Sequence, residues 1–246
     1  MNAIRSHARP MKPILVLLHQ EHSTPGRVGH MLEARGFPLD IRKPRFGDPL
    51  PETLTGHSGV AIFGGPQSAN DAEEYVRREI DWLEVPLKEE TPFFGICLGA
   101  QFLARKLGAR VAFHPEGLIE AGYYPLKPTP QGAALMNWPD HVYHFHREGF
   151  ELPAGAELLA AGDIFENQAF RYGNAFGVQF HPEVTHHMMC RWTVRAAHRL
   201  DLPGARPRGA HFEDRPLHDP KVRSWLANFL DFWTGLARKR ERAPAA

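Results

Sequence analysis

Residues 92–99 read Pro92-Phe93-Phe94-Gly95-Ile96-Cys97-Leu98-Gly99. An apolar run ends at a cysteine flanked by glycines, and a helical pattern starts behind it. This is the layout of a nucleophile elbow with cysteine in place of serine. A strand ends, the chain turns sharply and the nucleophile stands at the tip. The flanking glycines let the two arms of the turn approach without side-chain clash. The following helix N-terminus favours the thiolate, the reactive form of the residue.

A lone Gly-x-Cys-x-Gly often marks only a tight turn, so two further stretches matter. Gln179-Phe180-His181-Pro182-Glu183-Val184 closes another apolar run. A histidine with a carboxylate two residues on supplies a base and its orienting partner, and with Cys97 it makes a triad for acyl transfer. Val60-Ala61-Ile62-Phe63-Gly64-Gly65-Pro66 is a strand ending in a turn with free backbone N–H groups. The N–H of Gly65 and that of Leu98, next to the nucleophile, form a candidate oxyanion hole.

Short apolar runs alternate with helical patterns from residue 14 to about 107. They predict strands at Ile14–Leu18, Leu39–Arg42, Val60–Phe63 and Phe93–Ile96, and helices at Gly26–Arg35, Asp71–Trp82 and Leu98–Leu107. Such alternation argues for a parallel sheet covered on both faces. Between Arg110 and Phe180 the pieces turn short and β-rich (Ile119–Leu126, His141–Phe145, Glu157–Ala161, Ala169–Tyr172, Phe176–Phe180). They read as a partly antiparallel extension of the main sheet. Thr185–Leu200 reads as a helix, and Cys190 within it, beside Met188 and Met189, as a small core residue. Residues 201–215, rich in Pro, Gly and Arg, read as a linker. Pro220–Ala237 reads as a last helix, with Val222, Trp225, Leu226, Phe229 and Trp233 at helical spacing. That apolar face suits docking on the domain, and would equally suit a separate partner.

The three motifs together resemble the class I glutamine amidotransferases, in particular the glutaminase domain of GMP synthase and its stand-alone relatives. The resemblance covers residues 12–200. It implies a flavodoxin-like, doubly wound, mostly parallel α/β sheet with a small antiparallel extension. Outside it, the residues themselves read as an N-terminal extension over 1–11 and a linker and packed helix over 201–246. By matching position it implies Cys97 as nucleophile, His181 as base and acid, Glu183 as orienter, and Gly65 and Leu98 as the oxyanion hole. Gln101 matches a glutamine that helps hold the substrate's amino acid end. The segment His144-Phe145-His146-Arg147-Glu148-Gly149 matches one that lines the glutamine pocket, so His146, Arg147 and Glu148 are substrate-binding candidates. Relatives commonly carry glycine where Arg147 stands. A guanidinium there would pair with a substrate carboxylate, unless it simply faces solvent.

The implied activity is hydrolysis of the side-chain amide of glutamine through a γ-glutamyl thioester. Neither a P-loop nor a dinucleotide fingerprint follows any strand, so an ammonia acceptor, and any synthetase that uses it, would lie on another chain. Three other readings stay open. One is a γ-glutamyl peptidase acting on γ-glutamyl amines or peptides. Another is a non-catalytic binding or regulatory subunit. The last, a cysteine peptidase or chaperone with the same elbow, fits the His-Pro-Glu arrangement less well.

Composition sets the remaining bounds. The chain has 246 residues, 43% hydrophobic and 23% charged, and a formal net charge of +1. That charge makes no case for nucleic acid or an anionic membrane. Arg238-Lys239-Arg240 reads as a solvated tail, and Met11 is an alternative start. No apolar run approaches the length of a membrane-spanning helix. Two cysteines make no disulfide framework, and a reactive thiol points to the cytoplasm. No cofactor is expected. Of the fifteen histidines, His141, His144 and His146 cluster, with 144 and 146 on one face of a strand and 141 on the other. No cysteine or carboxylate completes a tetrahedral set at the usual spacing, so no metal is expected.

Overall fold

A computed structural model describes residues 11–236. The expectations for residues 1–10 and for Arg238-Lys239-Arg240 lie outside the described residues. The first half of the chain alternates strands and helices. In order these are β1 (Ile14–Leu17), α1 (Gly26–Glu33), β2 (Leu39–Arg42), β3 (Gly59–Ile62), α2 (Glu74–Trp82), α3 (Glu84–Lys88), β4 (Phe93–Ile96) and α4 (Leu98–Lys106). Then come β5 (Val111–Phe113), β6 (Glu120–Pro125), β7 (Lys127–Pro128), α5 (Pro130–Leu135), β8 (His141–His146) and β9 (Glu148–Phe150). The chain continues through β10 (Glu157–Ala161), β11 (Asn167–Tyr172) and β12 (Ala175–Val178) to α6 (His186–Arg195), a 3-10 turn (Ala197–Arg199) and α7 (Arg208–Trp233).

Among the described residues the main sheet has eight strands in the order β2-β1-β3-β4-β12-β11-β10-β7. The five from β2 to β12 are parallel, and β11, β10 and β7 continue antiparallel. Every residue of β1, β3, β4 and β12 is buried, as strands covered on both faces must be. Alternate side chains feed two cores. Ile14, Val16, Phe94 and Ile96 pack with α1 and α7, and Leu15, Leu17, Val60 and Phe93 pack with α2 and α4. No described helix is long and apolar enough to cross a membrane.

Three expectations need correction. First, two of the short β pieces do not extend the main sheet: β6 pairs with β8 as a separate two-stranded ribbon, and β5 and β9, which the sequence did not suggest, form another. Alternation alone does not say which partner a strand takes.

Second, the last helix begins at Arg208, so most of the stretch read as a linker is helical. Pro216 and Pro220 lie inside it. Each removes a helical N–H, a cost of about 3 kcal/mol. Tertiary anchors offset that cost. The Arg27 guanidinium pairs with Asp219 at 2.7 Å, and buried His211 meets the Tyr143 hydroxyl at 2.9 Å. Val222, Trp225 and Phe229 bury against the sheet.

Third, α2 starts at Glu74 instead of Asp71, because Asp71 closes a turn by accepting from the Ser68 N–H at 2.9 Å.

Candidate active site

The carboxyl ends of β1, β3, β4 and β12 converge on one cleft. The chain leaves β1 in opposite directions to build β2 and β3, and such a switch point opens a crevice above the strand ends. His19 follows β1, Gly64-Gly65 follow β3, Cys97 ends β4 and His181 follows β12.

Cys97 caps α4 in a left-handed conformation, φ 52° and ψ −104°. A non-glycine residue held there costs ~1–3 kcal/mol, a strain that clusters at functional sites. The turn is tight enough to need both neighbouring glycines. A Cβ on Gly95 would stand 2.6 Å from the Gly99 carbonyl oxygen, and one on Gly99 would strike the Ile62 carbonyl. The Cys97 N–H donates to the Val178 carbonyl at 2.8 Å, which locks the elbow to β12.

That same strand delivers the histidine. His181 Nδ1 lies 2.8 Å from Glu183 Oε1, and the ring stands beside Cys97: a Cβ on Gly64 would meet His181 Cε1 at 2.7 Å and Cys97 Cβ at 3.4 Å. His181 and Glu183 are both buried. Burial opposes charge on His181, but the Glu183 carboxylate and then the Cys97 sulfur overcome it and raise its pKa to about 10. The imidazole is therefore held as a cation beside the Cys97 side chain. Gly64 has no side chain because His181 occupies the space. The Trp192 ring packs edge-on against the imidazole at 4.8 Å. The N–H groups of Gly65 and Leu98 have no hydrogen-bond partner among the described residues. Leu98 is the first residue of α4, where a helix leaves its N–H groups free.

The other four sequence candidates divide. Gln101, His146 and Glu148 are 3%, 5% and 5% exposed and stand behind the cleft rather than lining it. Gln101 Nε2 donates to the Glu148 carbonyl at 2.8 Å and to Gln179 Oε1 at 3.2 Å. Gln179 Nε2 in turn donates to Cys97 Sγ at 3.6 Å. The motif around His181 gives no sign of this contact, which follows from the pairing of β12 with β4. The Glu148 carboxylate accepts from Ser68 Oγ at 2.8 Å. Arg147 is half-buried, its guanidinium 5.4 Å from the centre of the Phe113 ring.

The cleft over Cys97 has a volume of about 250 Å³. Its far wall is formed by residues the sequence did not single out: Arg191, Trp192, Arg195, His198 and Arg199. These come from α6 and the 3-10 turn after it, and Gln20, Ser23 and Thr24 line the same cleft. Arg191 ties the two walls together by donating to the His22 carbonyl at 3.0 Å.

The histidine cluster also requires a correction, because a carboxylate does complete it. Glu120 lies opposite His146 in the β6–β8 register. Its Oε2 is 2.9 Å from His146 Nε2 and 3.4 Å from His144 Nδ1. The sequence hides this because the partner comes from another strand. The set is geometrically able to gather a cation, but its chemistry disfavours one. Gln168 Nε2 donates both to Glu120 Oε2 and to the Phe165 carbonyl, each at 2.9 Å, so an N–H already points at the carboxylate oxygen a metal would need. The arrangement is a buried hydrogen-bonded carboxylate with its histidines.

Known proteins share this architecture. The family model Glutamine amidotransferase class-I matches residues 21–191. The chain belongs to the class I glutamine amidotransferases. It is 29% identical over 180 residues to the glutamine amidotransferase-like protein YfeJ of Salmonella typhimurium, covering 69% of this chain and 74% of that one. It is 31% identical over 140 residues to one subunit of the glutamine-hydrolyzing GMP synthase of Thermoplasma volcanium, covering 54% of this chain and 66% of that one. Of the glutamine-hydrolyzing GMP synthase of Porphyromonas gingivalis it spans only 27%, at 34% identity over 143 residues. Among solved structures, a glutamine amidotransferase from Thermotoga maritima superposes with a TM-score of 0.82 at 28% identity, over 92% of this chain and 99% of that one.

Proposed function

We propose that this amidotransferase hydrolyses γ-glutamyl amides, glutamine being the simplest, through a thioester on Cys97. The observation that carries the reading is the strained Cys97 elbow with His181 in the same cleft, bonded to Glu183. The thiolate attacks the γ-carbonyl carbon, and the developing oxyanion is received by the Gly65 and Leu98 N–H groups. His181 gives its proton to the departing nitrogen as the C–N bond breaks, so ammonia leaves from glutamine. It then takes a proton from water, which attacks the thioester and releases glutamate and the thiolate. A thiol nucleophile stays reduced most readily in the cytoplasm, which supports a cytoplasmic setting. Both cysteines are free. The ammonia acceptor belongs to another chain, a reading supported by the Thermoplasma volcanium relative, which is one subunit of a GMP synthase. Incubating the purified protein with glutamine should release glutamate and ammonia in equal amounts, and a γ-glutamyl electrophile should add its mass to Cys97. Absence of both would sink the reading and favour a non-catalytic subunit.

One observation favours γ-glutamyl peptides over glutamine. Arg195 and Arg199 line the cleft, and their side chains make no ion pair or hydrogen bond among the described residues. The one carboxylate among the lining residues, Glu183, is bonded to His181. Arg199 has its pKa lowered, by burial first and then by neighbouring Arg147. Guanidiniums gathered with no carboxylate partner make a site for a substrate carboxylate. Glutamine carries no net charge, whereas a γ-glutamyl amino acid adds a carboxylate. Comparing γ-glutamylglycine with γ-glutamyl methylamide tests this. A preference for the first that shrinks by about tenfold or more in Arg199→Ala supports it, the loss of one charge-assisted bond. Equal turnover of both in the unaltered protein overturns it.

A further inference from the structure

The loop after β3 has two sides. Gly64 and Gly65 line the cleft on one side. On the other lies His19, from the end of β1, wholly buried and edge-on to Phe102 at 5.7 Å. His19 Nε2 is 2.9 Å from Glu79 Oε1 on α2, itself fully buried, and His19 Nδ1 is 3.3 Å from the Gly64 carbonyl oxygen. A carboxylate and a carbonyl can only accept, so both ring nitrogens carry hydrogen and the imidazole is a cation. Its pKa is raised accordingly: burial works against the charge, and the Glu79 carboxylate and the Gly64 and Phe63 carbonyls outweigh it.

The Gly64 carbonyl and the Gly65 N–H belong to one peptide unit. The described chain has no cis peptide bonds, so the two groups point to opposite edges of the same plane. We infer that His19, held by Glu79, is a positioning residue for the oxyanion hole: by bonding the Gly64 carbonyl on the buried side it turns the Gly65 N–H toward the cleft. The inference rests on the reading of Gly65 as an oxyanion donor.

The need for such a device follows from the sequence. A peptide between two glycines meets little steric resistance to turning over. Turned over, it would present its carbonyl oxygen to the developing negative charge. Here that turn would break a bond to a buried imidazolium and leave the cation short of a partner, which is costly. The bond also polarises the peptide and strengthens its N–H as a donor. The Glu79–His19 dipole has its positive end against the loop, which favours negative charge on the far side.

The test uses His19→Gln and Glu79→Gln in the full chain. A γ-glutamyl aldehyde serves as probe, because Cys97 adds to its carbonyl and places an oxygen in the hole. Glutamate serves as the ground-state comparison. His19→Gln is expected to lower kcat by about tenfold to a hundredfold, the scale of one lost charge-assisted bond. Aldehyde affinity should fall by a similar factor, while glutamate affinity and the rate of Cys97 alkylation hold. Glu79→Gln, which keeps a hydrogen-bonding group but removes the charge, should show a smaller loss of the same kind and covers the case in which His19→Gln fails to fold. Equal losses of aldehyde and glutamate affinity, or an undiminished kcat, would overturn the inference. The Gly65 amide proton separates the two levels. It should move on aldehyde binding to the unaltered protein and move less in His19→Gln. No movement in the unaltered protein refutes Gly65 as a donor. An undiminished movement in the variant refutes only the positioning.

Discussion

Glu120 and His146 face each other across the β6–β8 ribbon, with Glu120 Oε2 2.9 Å from His146 Nε2. Burial alone would raise the pKa of this carboxyl. His144 and the hydrogen bond from His146 reverse that and hold it at about 2, below its ordinary 4.5. A depressed carboxylate contributes stability that is present above its unfolded value and lost as pH falls through its folded one. Denaturant unfolding of Glu120→Ala should show a loss of about 3–5 kcal/mol at neutral pH, the scale for orphaning one partner of a buried pair. The gap between the two proteins should narrow as pH falls from 4.5 toward 2. A gap independent of pH would show that the charge contributes nothing.

Cys97→Ser should abolish turnover with little change in melting temperature, because a hydroxyl in this place is far less ionised than a thiol. Cys97→Gly should also be inactive, yet more stable by about 1 kcal/mol, because glycine relieves the left-handed strain at φ 52°. Thermal melts and a glutamate-release assay read both. Near-normal rates in the serine variant would remove Cys97 as the nucleophile.

Glu183→Gln should slow the reaction about tenfold to a thousandfold, and His181→Ala more. In the proposed mechanism the carboxylate at 2.8 Å orients and stabilises the imidazole, whereas the imidazole itself moves the proton. Steady-state kinetics of both variants on one substrate decide the order, and a reversed order counts against the roles.

His181 has its pKa raised to about 10 from an ordinary 6.5, against burial, by Glu183 and Cys97. A raised basic group contributes stability that is fully present below its unfolded pKa and is lost as pH rises through its folded one. The stability difference between the unaltered protein and Glu183→Gln should therefore decline between pH 6.5 and about 10. Unfolding measured across that range checks it, and a difference that grows with pH would contradict a charged imidazole.

Trp225→Ala should cost about 3–5 kcal/mol. The Trp225 ring stacks on Phe229 at 5.2 Å and meets Phe180, the neighbour of His181, at 5.4 Å. Activity per folded molecule should fall too, since the cavity opens beneath the strand end that carries His181. A change at Trp225 of less than 1 kcal/mol would mean that α7 is not part of the core.

Much of the candidate site is legible in the chain itself. Gly95, Cys97 and Gly99 announce a turn too tight for side chains, and His181 with Glu183 two residues on announces an oriented base. Each signal is local, and local backbone geometry decides it. The arginine wall is not legible, because Arg195 and Arg199 belong to a stretch whose sequence says only helix. Glu120 is not, because its partners come from another strand.

The sequence by itself determined the alternating α/β frame, the elbow and the residues of the candidate triad, since periodicity, glycine sterics and short spacings act within a few residues. Tertiary structure alone decided what meets across the fold. It sent β6 to β8, drew residues 208–219 into α7 through two prolines, set Gln179 against the sulfur, and slid His19 and Glu79 beneath the Gly64 carbonyl. Those contacts, with the Arg27–Asp219 pair that anchors α7, join residues up to 192 positions apart. Their energies come from burial and charge pairing in a low-dielectric interior, which exists only once the sheet has closed over them.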